Sequence, residues 1–264
     1  MSRLVVTGGT GYLGRVVVEL ATAAGWDVRG LGSRDVDVRD GPSVAALVQA
    51  ARPDAIVHTA YVRDGVDAWP VNVDGSASVS RAAASAGARL VHVSSDVVFD
   101  GRAGRPYREG DPVSPITDYG RSKAEAERRV LAVAPDAVVV RTSLIYGGPG
   151  RAPGTHERAA VEPAASFYTD ELRCPVQVDD LARALLELCT LEFSGALHVA
   201  GPDGLSRHRF AELIAGRPVT GVPAPPDRPL DCRLDTTLAA TILRTPMRAP
   251  RSVVRDRPDR ADPE

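Results

Sequence analysis

The chain has 264 residues, 44% hydrophobic and 25% charged, an ordinary globular composition with length enough for a large core. A net charge of -2 excludes the basic footprint of a nucleic-acid-binding protein. No apolar run approaches the roughly 20 residues of a membrane helix, and none near the N-terminus reads as a signal segment. A soluble, cytoplasmic protein is expected. Cys174, Cys189 and Cys232 show no spacing that suggests a disulfide framework or a zinc site, so no metal is expected.

The first half alternates strand and helix patterns. Leu4–Val6 reads as a buried strand ending in a glycine-rich turn, with a helical pattern from Leu13 to Ala24. Val28–Leu31 is a second strand, Ser43–Ala51 a helix, and Ala55–His58 a third strand. Val71–Ala86 is helical and Leu90–Val93 a strand. Asp118–Val133 is helical and Ala137–Arg141 a strand. Short apolar strands separated by helices imply an α/β fold with a doubly wound parallel sheet. After Tyr146 the pattern loosens. Residues 147–154 read as a loop, and Asp179–Thr190 as an amphipathic helix with Asp179 or Asp180 near its N-cap. Ala196–Val199 is a strand, and a helix capped by Ser206 runs to Ala215. The Pro-rich stretch 217–230 cannot be a long regular element. The expected division is a dinucleotide-binding domain over 1–146 and a smaller C-terminal substrate lobe over 147–248, with some elements returning to the sheet. A disordered tail is expected over 249–264.

Thr7-Gly8-Gly9-Thr10-Gly11-Tyr12-Leu13-Gly14 follows the first strand and opens the first helix. Gly8 permits the tight turn, Gly11 a close approach of backbone to a pyrophosphate, and Gly14 close packing of helix on strand. At the end of the second strand, Gly32 stands where an acid would bind the adenosine ribose and repel a 2′-phosphate. With Ser33 and Arg34 adjacent, NADP is expected, NAD remaining compatible.

Tyr119 and Lys123 lie at i and i+4 on a predicted helix and share a face. A free tyrosine titrates near 10, and a neighbouring ammonium is expected to lower that. Of 32 Lys and Arg residues, Lys123 is the one lysine, in a role arginine fills poorly because it does not deprotonate. If Lys123 sat on a solvated helix face, its replacement by Arg would leave the fold intact. Ser95, 24 residues before Tyr119, ends the fourth strand and is placed to polarise a substrate carbonyl.

The spacing of Thr7, Gly8, Gly11 and Gly14 resembles the short-chain dehydrogenase/reductase pattern. Within that superfamily, Ser94-Ser95-Asp96-Val97-Val98-Phe99-Asp100-Gly101 is similar to a stretch of dTDP-4-dehydrorhamnose reductases. So are Pro115-Ile116-Thr117-Asp118-Tyr119-Gly120, Arg141-Thr142-Ser143-Leu144-Ile145-Tyr146-Gly147, and Arg228-Pro229 with Leu234-Asp235. The resemblance spans about residues 3–245. It implies a Rossmann-type NAD(P)H-dependent ketoreductase acting on the 4-keto group of a nucleotide-linked deoxysugar, with Ser95, Tyr119 and Lys123 catalytic. Cofactor contacts are implied for the glycine turn (Thr7, Gly8, Gly11, Tyr12, Leu13 and Gly14) and for Ser33 and Arg34. Asp37 and Val38 are implied beside the adenine, with Ala60, Tyr61, Lys123 and Ser143 completing the set. Substrate contacts are implied for Asp96, Val97 and Arg173, the last gripping a diphosphate. Val97 departs from the tyrosine usual in those reductases, and 147–172 is unlike their substrate lobe. His156 and Glu157 receive no role. Dehydration is disfavoured, because a second acid is missing after Asp96. Epimerisation, reduction of a non-sugar carbonyl, and a non-catalytic NADP-binding role like that of the methionine adenosyltransferase regulatory subunit stay open, as does a homodimer.

Overall fold

The computed structural model describes residues 1–255. Strand β1 (Arg3–Thr7) leads into helix α1 (Tyr12–Ala23), then β2 (Asp27–Leu31), α2 (Gly41–Ala51) and β3 (Ala55–His58). A π-helical turn, Pro70–Gly75, runs into α3 (Ser76–Ala86) and β4 (Arg89–Ser95). After a short 3-10 turn come α4 (Asp118–Val133), β5 (Val138–Thr142) and β6 (Ile145–Tyr146). The second half holds α5 (Thr155–Val161), β7 (Ser166–Tyr168), β8 (Leu172–Arg173) and β9 (Val176–Gln177). It continues with α6 (Val178–Leu188), β10 (Gly195–His198), β11 (Leu205–Ser206) and α7 (Arg207–Ala215). It ends with β12 (Thr220–Val222), α8 (Thr237–Ile242) and α9 (Pro250–Arg255).

Six strands form one parallel sheet in the order β2-β1-β3-β4-β5-β10. Strand alternation sorts its side chains onto two faces. Leu4, Val6, Val57, Val91 and Val140 point into a core with Val16 and Val17 of α1 and Leu181 and Leu185 of α6. Val5, Ile56, Leu90 and Val139 point the other way, onto Val48 of α2, Val79 of α3 and Val130 of α4. Helices thus cover both faces, as near-continuous apolar strands require. The chain leaves β1 toward β2 on one side and returns to β3 on the other, so the carboxyl ends of β1 and β3 diverge and open a crevice where such sheets bind ligands.

Asp179 and Asp180 lie near the N-cap of α6 as expected, in its first turn, and the cap itself is Gln177, whose side chain accepts from the Asp180 amide. Two local expectations are corrected. Residues 155–161, unassigned to any element, form α5. The expected tail is helical over α9, where Val253 and Val254 are buried against Tyr146 and Phe210. The rest of that expectation, residues 256–264, lies outside the described residues.

Candidate active site

A cleft of about 670 Å³ runs from the glycine turn across the ends of β1, β3 and β4 to the second-half lobe. At its cofactor end the backbone is shaped for something to approach closely. Gly8 has φ +74°, and a Cβ on Gly14 would lie 2.1 Å from the Gly8 carbonyl oxygen, so neither position accepts a side chain. Thr7, Gly8, Gly11, Tyr12, Leu13 and Gly14 line this end, with Ala60 and Tyr61 from the end of β3. The residues fit a dinucleotide: an open helix N-terminus with no side-chain cap at Gly11 faces the cleft.

Beyond β2, Ser33, Asp37 and Val38 line the cleft, and Arg34 sits on the same exposed turn, outside the lining set. Gly32 is buried, and a Cβ there would meet the Thr10 hydroxyl at 2.7 Å. A side chain there would require Thr10 to shift. Both Asp37 carboxylate oxygens bond Arg39, which reaches on to Asp67.

At the centre, Ser95, Tyr119 and Lys123 come together as the spacing predicts. The Ser95 hydroxyl donates to Asp96 at 3.2 Å and caps the following turn. The expected lowering of the tyrosine pKa is not found. Burial raises the Tyr119 hydroxyl above its ordinary value, Tyr61 and Asp96 add to this, and Arg63 and Ser95 only partly offset it. Lys123 is buried, not solvated, and burial lowers its ammonium to about 8. Its Nζ donates to the Val93 carbonyl at 2.7 Å.

Beneath this centre lies a polar layer that period-based reading had assigned to strand and helix interiors. Thr7 Oγ1 meets His58 Nδ1 at 2.6 Å, and His58 Nε2 meets Ser76 Oγ at 3.0 Å. Burial, with Lys123 adding, takes His58 down to about 3, so the ring is neutral. Asn72, in the π-helical turn, donates to Ser122 Oγ at 2.9 Å and exchanges both amide bonds with Val62. Ser122 in turn donates to the Tyr119 carbonyl. Asn72 thus braces the helical turn that carries Tyr119 and Lys123, at the kind of helical irregularity that marks functional sites. A polar Asn within an apolar helical pattern was the available signal.

Asp96 and Val97 line the cleft. Asp96 is buried and accepts from Ser143 Oγ at 2.6 Å. Burial raises its carboxyl, against the pull of Arg173 and the two serines. Ser143, expected at the cofactor, thus also holds Asp96. Arg173 has a different place from the one expected. It is 2% exposed, its Nε lies 3.6 Å from Asp96, and its other nitrogens reach Glu171 and the carbonyls of Leu172, Pro229 and Leu230. Its donors are spent inside the protein, leaving none for a diphosphate. The guanidiniums facing the lobe end of the cleft are Arg63, Arg158, Arg207 and Arg228. Arg207 and Arg228 pair with the buried Glu171. Burial is the largest influence on that carboxyl and would raise it, yet Arg228, Arg173 and Arg207 together hold it below the usual range. Three arginines around one carboxylate leave net positive charge at this end. His156, left without a role, lines the same end, and burial with Arg207 takes it down to about 3.

The parallel sheet, the glycine turn and the Ser95–Tyr119–Lys123 centre define a Rossmann-type protein of the short-chain dehydrogenase/reductase class. Within that class, residues 2–260 match the family model described as the RmlD substrate binding domain, and the chain belongs to that family, on its sugar-nucleotide-reductase branch. It is 36% identical to a dTDP-4-dehydrorhamnose reductase of Mycobacterium tuberculosis, over 80% of this chain and 74% of that one. It is also 32% identical to the beta subunit of methionine adenosyltransferase 2 from Bos taurus, over 87% of this chain and 80% of that one. Among solved structures, a Bacillus anthracis dTDP-4-dehydrorhamnose reductase in complex with NADP superposes with a TM-score of 0.86 at 25% identity, covering 96% of this chain and 97% of that one.

Proposed function

We propose that this protein is a cytoplasmic NADPH-dependent ketoreductase that reduces the 4-keto group of a nucleotide-linked deoxysugar, with Ser95, Tyr119 and Lys123 as its catalytic residues. One observation carries the reading: the chain's one lysine is buried at the floor of the cleft, on the helix face that also carries Tyr119 and beside Ser95. NADPH, when bound along the glycine turn, supplies the hydride to the carbonyl carbon. Ser95 hydrogen-bonds the carbonyl oxygen and stabilises the charge that develops there. Tyr119 gives that oxygen its proton, and its raised pKa keeps it protonated until an alkoxide forms. Lys123 supplies positive charge beneath the tyrosine and contacts the nicotinamide ribose. Arg207 and Arg228 hold the substrate's diphosphate in place of Arg173, which instead neutralises Asp96 and so fixes the carboxylate that bonds Ser95.

The test is loss of NADPH absorbance with a panel of nucleotide-linked ketosugars and simple ketones. Stoichiometric oxidation with a nucleotide-linked ketosugar is expected. Conversion without net oxidation would mean epimerisation. Tight NADPH binding with no turnover on any ketone would favour a non-catalytic binding subunit, the reading to which the bovine relative points.

A further inference from the structure

The segment 147–161 leaves β6 and is tied to the glycine turn in part through one carboxylate. Glu157 is buried. Its Oε2 accepts from the amides of Gly147 and Gly154, each at 2.7 Å, and its Oε1 from the Gly148 amide at 3.1 Å. The Tyr12 hydroxyl also donates to Oε2, at 3.4 Å, and to the Ala152 carbonyl at 3.1 Å. Tyr12 is the first residue of α1, immediately after Gly11. Its ring fits against two glycines: a Cβ on Gly147 would lie 2.7 Å from the Tyr12 hydroxyl, and one on Gly154 would lie 3.1 Å from the ring. Arg15 covers the ring at 5.4 Å. Arg151 in the same segment bridges Glu19 of α1 and Asp179 of α6.

Two ends of the cleft thus share one rigid connection. Tyr12 belongs to the turn whose amides face a dinucleotide. Thr155 and His156, next to Glu157 on α5, line the lobe end of the same cleft. A carboxylate that satisfies several buried amides at once cannot shift without stranding them, and stranded buried donors are costly. Movement of α5 is therefore transmitted to Tyr12.

We infer that Glu157 is a positioning residue that acts through Tyr12 to set the dinucleotide turn, coupling the lobe end of the cleft to cofactor affinity. The inference rests on the dinucleotide reading above. The amides of Gly147 and Gly154 face Oε2, and a glutamine whose amide nitrogen fell there would confront them with another donor, while one turned the other way would strand the Gly148 amide. Either way the segment loosens at Tyr12. The Tyr12→Phe change leaves the amide net in place and removes the hydroxyl's bonds to Glu157 and to the Ala152 carbonyl.

The experiment titrates NADPH fluorescence with the full chain and with Glu157→Gln, Tyr12→Phe and the double variant, with thermal unfolding in parallel. Each single variant is expected to weaken NADPH binding by about tenfold, as loss of a bond to a charged group implies. The double variant should be no weaker than the weaker single. Glu157→Gln that unfolds earlier yet binds NADPH normally would overturn the inference, because the residue would then only hold the loop. Multiplying effects in the double variant would also overturn it. Should Glu157→Gln not fold, Tyr12→Phe decides alone: unchanged NADPH affinity refutes the coupling. Failure of the unaltered chain to bind NADPH would overturn both this inference and the dinucleotide reading, whereas normal binding with unaffected variants overturns this inference alone.

Discussion

The Lys123 ammonium donates to the Val93 carbonyl across 2.7 Å, pinning α4 to the end of β4 at the point where Ser95 and Tyr119 meet. The bond makes the lysine part of the protein interior as well as of the proposed chemistry. Arginine at this position keeps the charge, but it must fit a longer, planar head into a buried space and does not relay a proton. We expect Lys123→Arg to lose at least about 10²-fold in turnover. It should also lose about 1–3 kcal/mol of stability from overpacking, which a surface position would not. Turnover and urea unfolding measured together check both; near-normal turnover would remove Lys123 from the mechanism.

The pH profile follows from the same residue. Burial lowers Lys123 from 10.5 to about 8, with Glu127 pulling the other way. The group is charged below about pH 8 and neutral above it, so activity that depends on the ammonium is present below that point and lost as pH rises through it. Tyr119, raised by burial, stays protonated over this range. A falling limb in kcat/KM near pH 8 is expected, and a flat profile to pH 10 would contradict the assignment.

Cofactor preference is set around Gly32. The residue there is glycine, so no carboxylate repels a 2′-phosphate at the end of β2. NADPH should bind more tightly than NADH. Arg34→Ala should narrow the gap by about 1–3 kcal/mol if the exposed guanidinium reaches the phosphate. Equal affinities in the unaltered protein, measured by fluorescence titration, would disprove this.

At the lobe end, Arg207 reaches Glu171 at 3.4 Å, a longer contact than the 2.8 Å of Arg228. Arg207→Ala should therefore disturb the buried carboxylate less while removing a phosphate ligand. KM for a nucleotide-linked ketosugar should rise about tenfold or more. KM for a simple ketone should stay unchanged, and an equal rise for both would point to a general loosening of the lobe.

Glu127 and Arg141 form a buried bidentate pair that also takes the Ser94 hydroxyl. Truncating Glu127 to Ala strands the guanidinium in the core. A loss of about 3–5 kcal/mol is expected, read by urea unfolding. A loss under about 1 kcal/mol would mean that water reaches Arg141.

The sequence by itself determined whatever depends on local order along the chain. Alternating strands and helices implied the parallel sheet, because an apolar strand such as Val138–Val140 must be covered on both faces. The strand-turn-helix around Gly8 and Gly14 and the i, i+4 pair of Tyr119 and Lys123 were legible for the same reason: their geometry is fixed within one or two turns of backbone. Tertiary structure decided everything that rests on distant neighbours. Arg173 read as a free cation, yet it is enclosed by Asp96 and Glu171. Tyr119 read as acidified by its lysine, yet burial raises its hydroxyl. Glu157 and His156 received no role from the sequence, yet each meets a side chain far away in the chain, Tyr12 and Arg207. Desolvation and ion pairing depend on which side chains meet in space, and a linear pattern carries that information only where the contact is local.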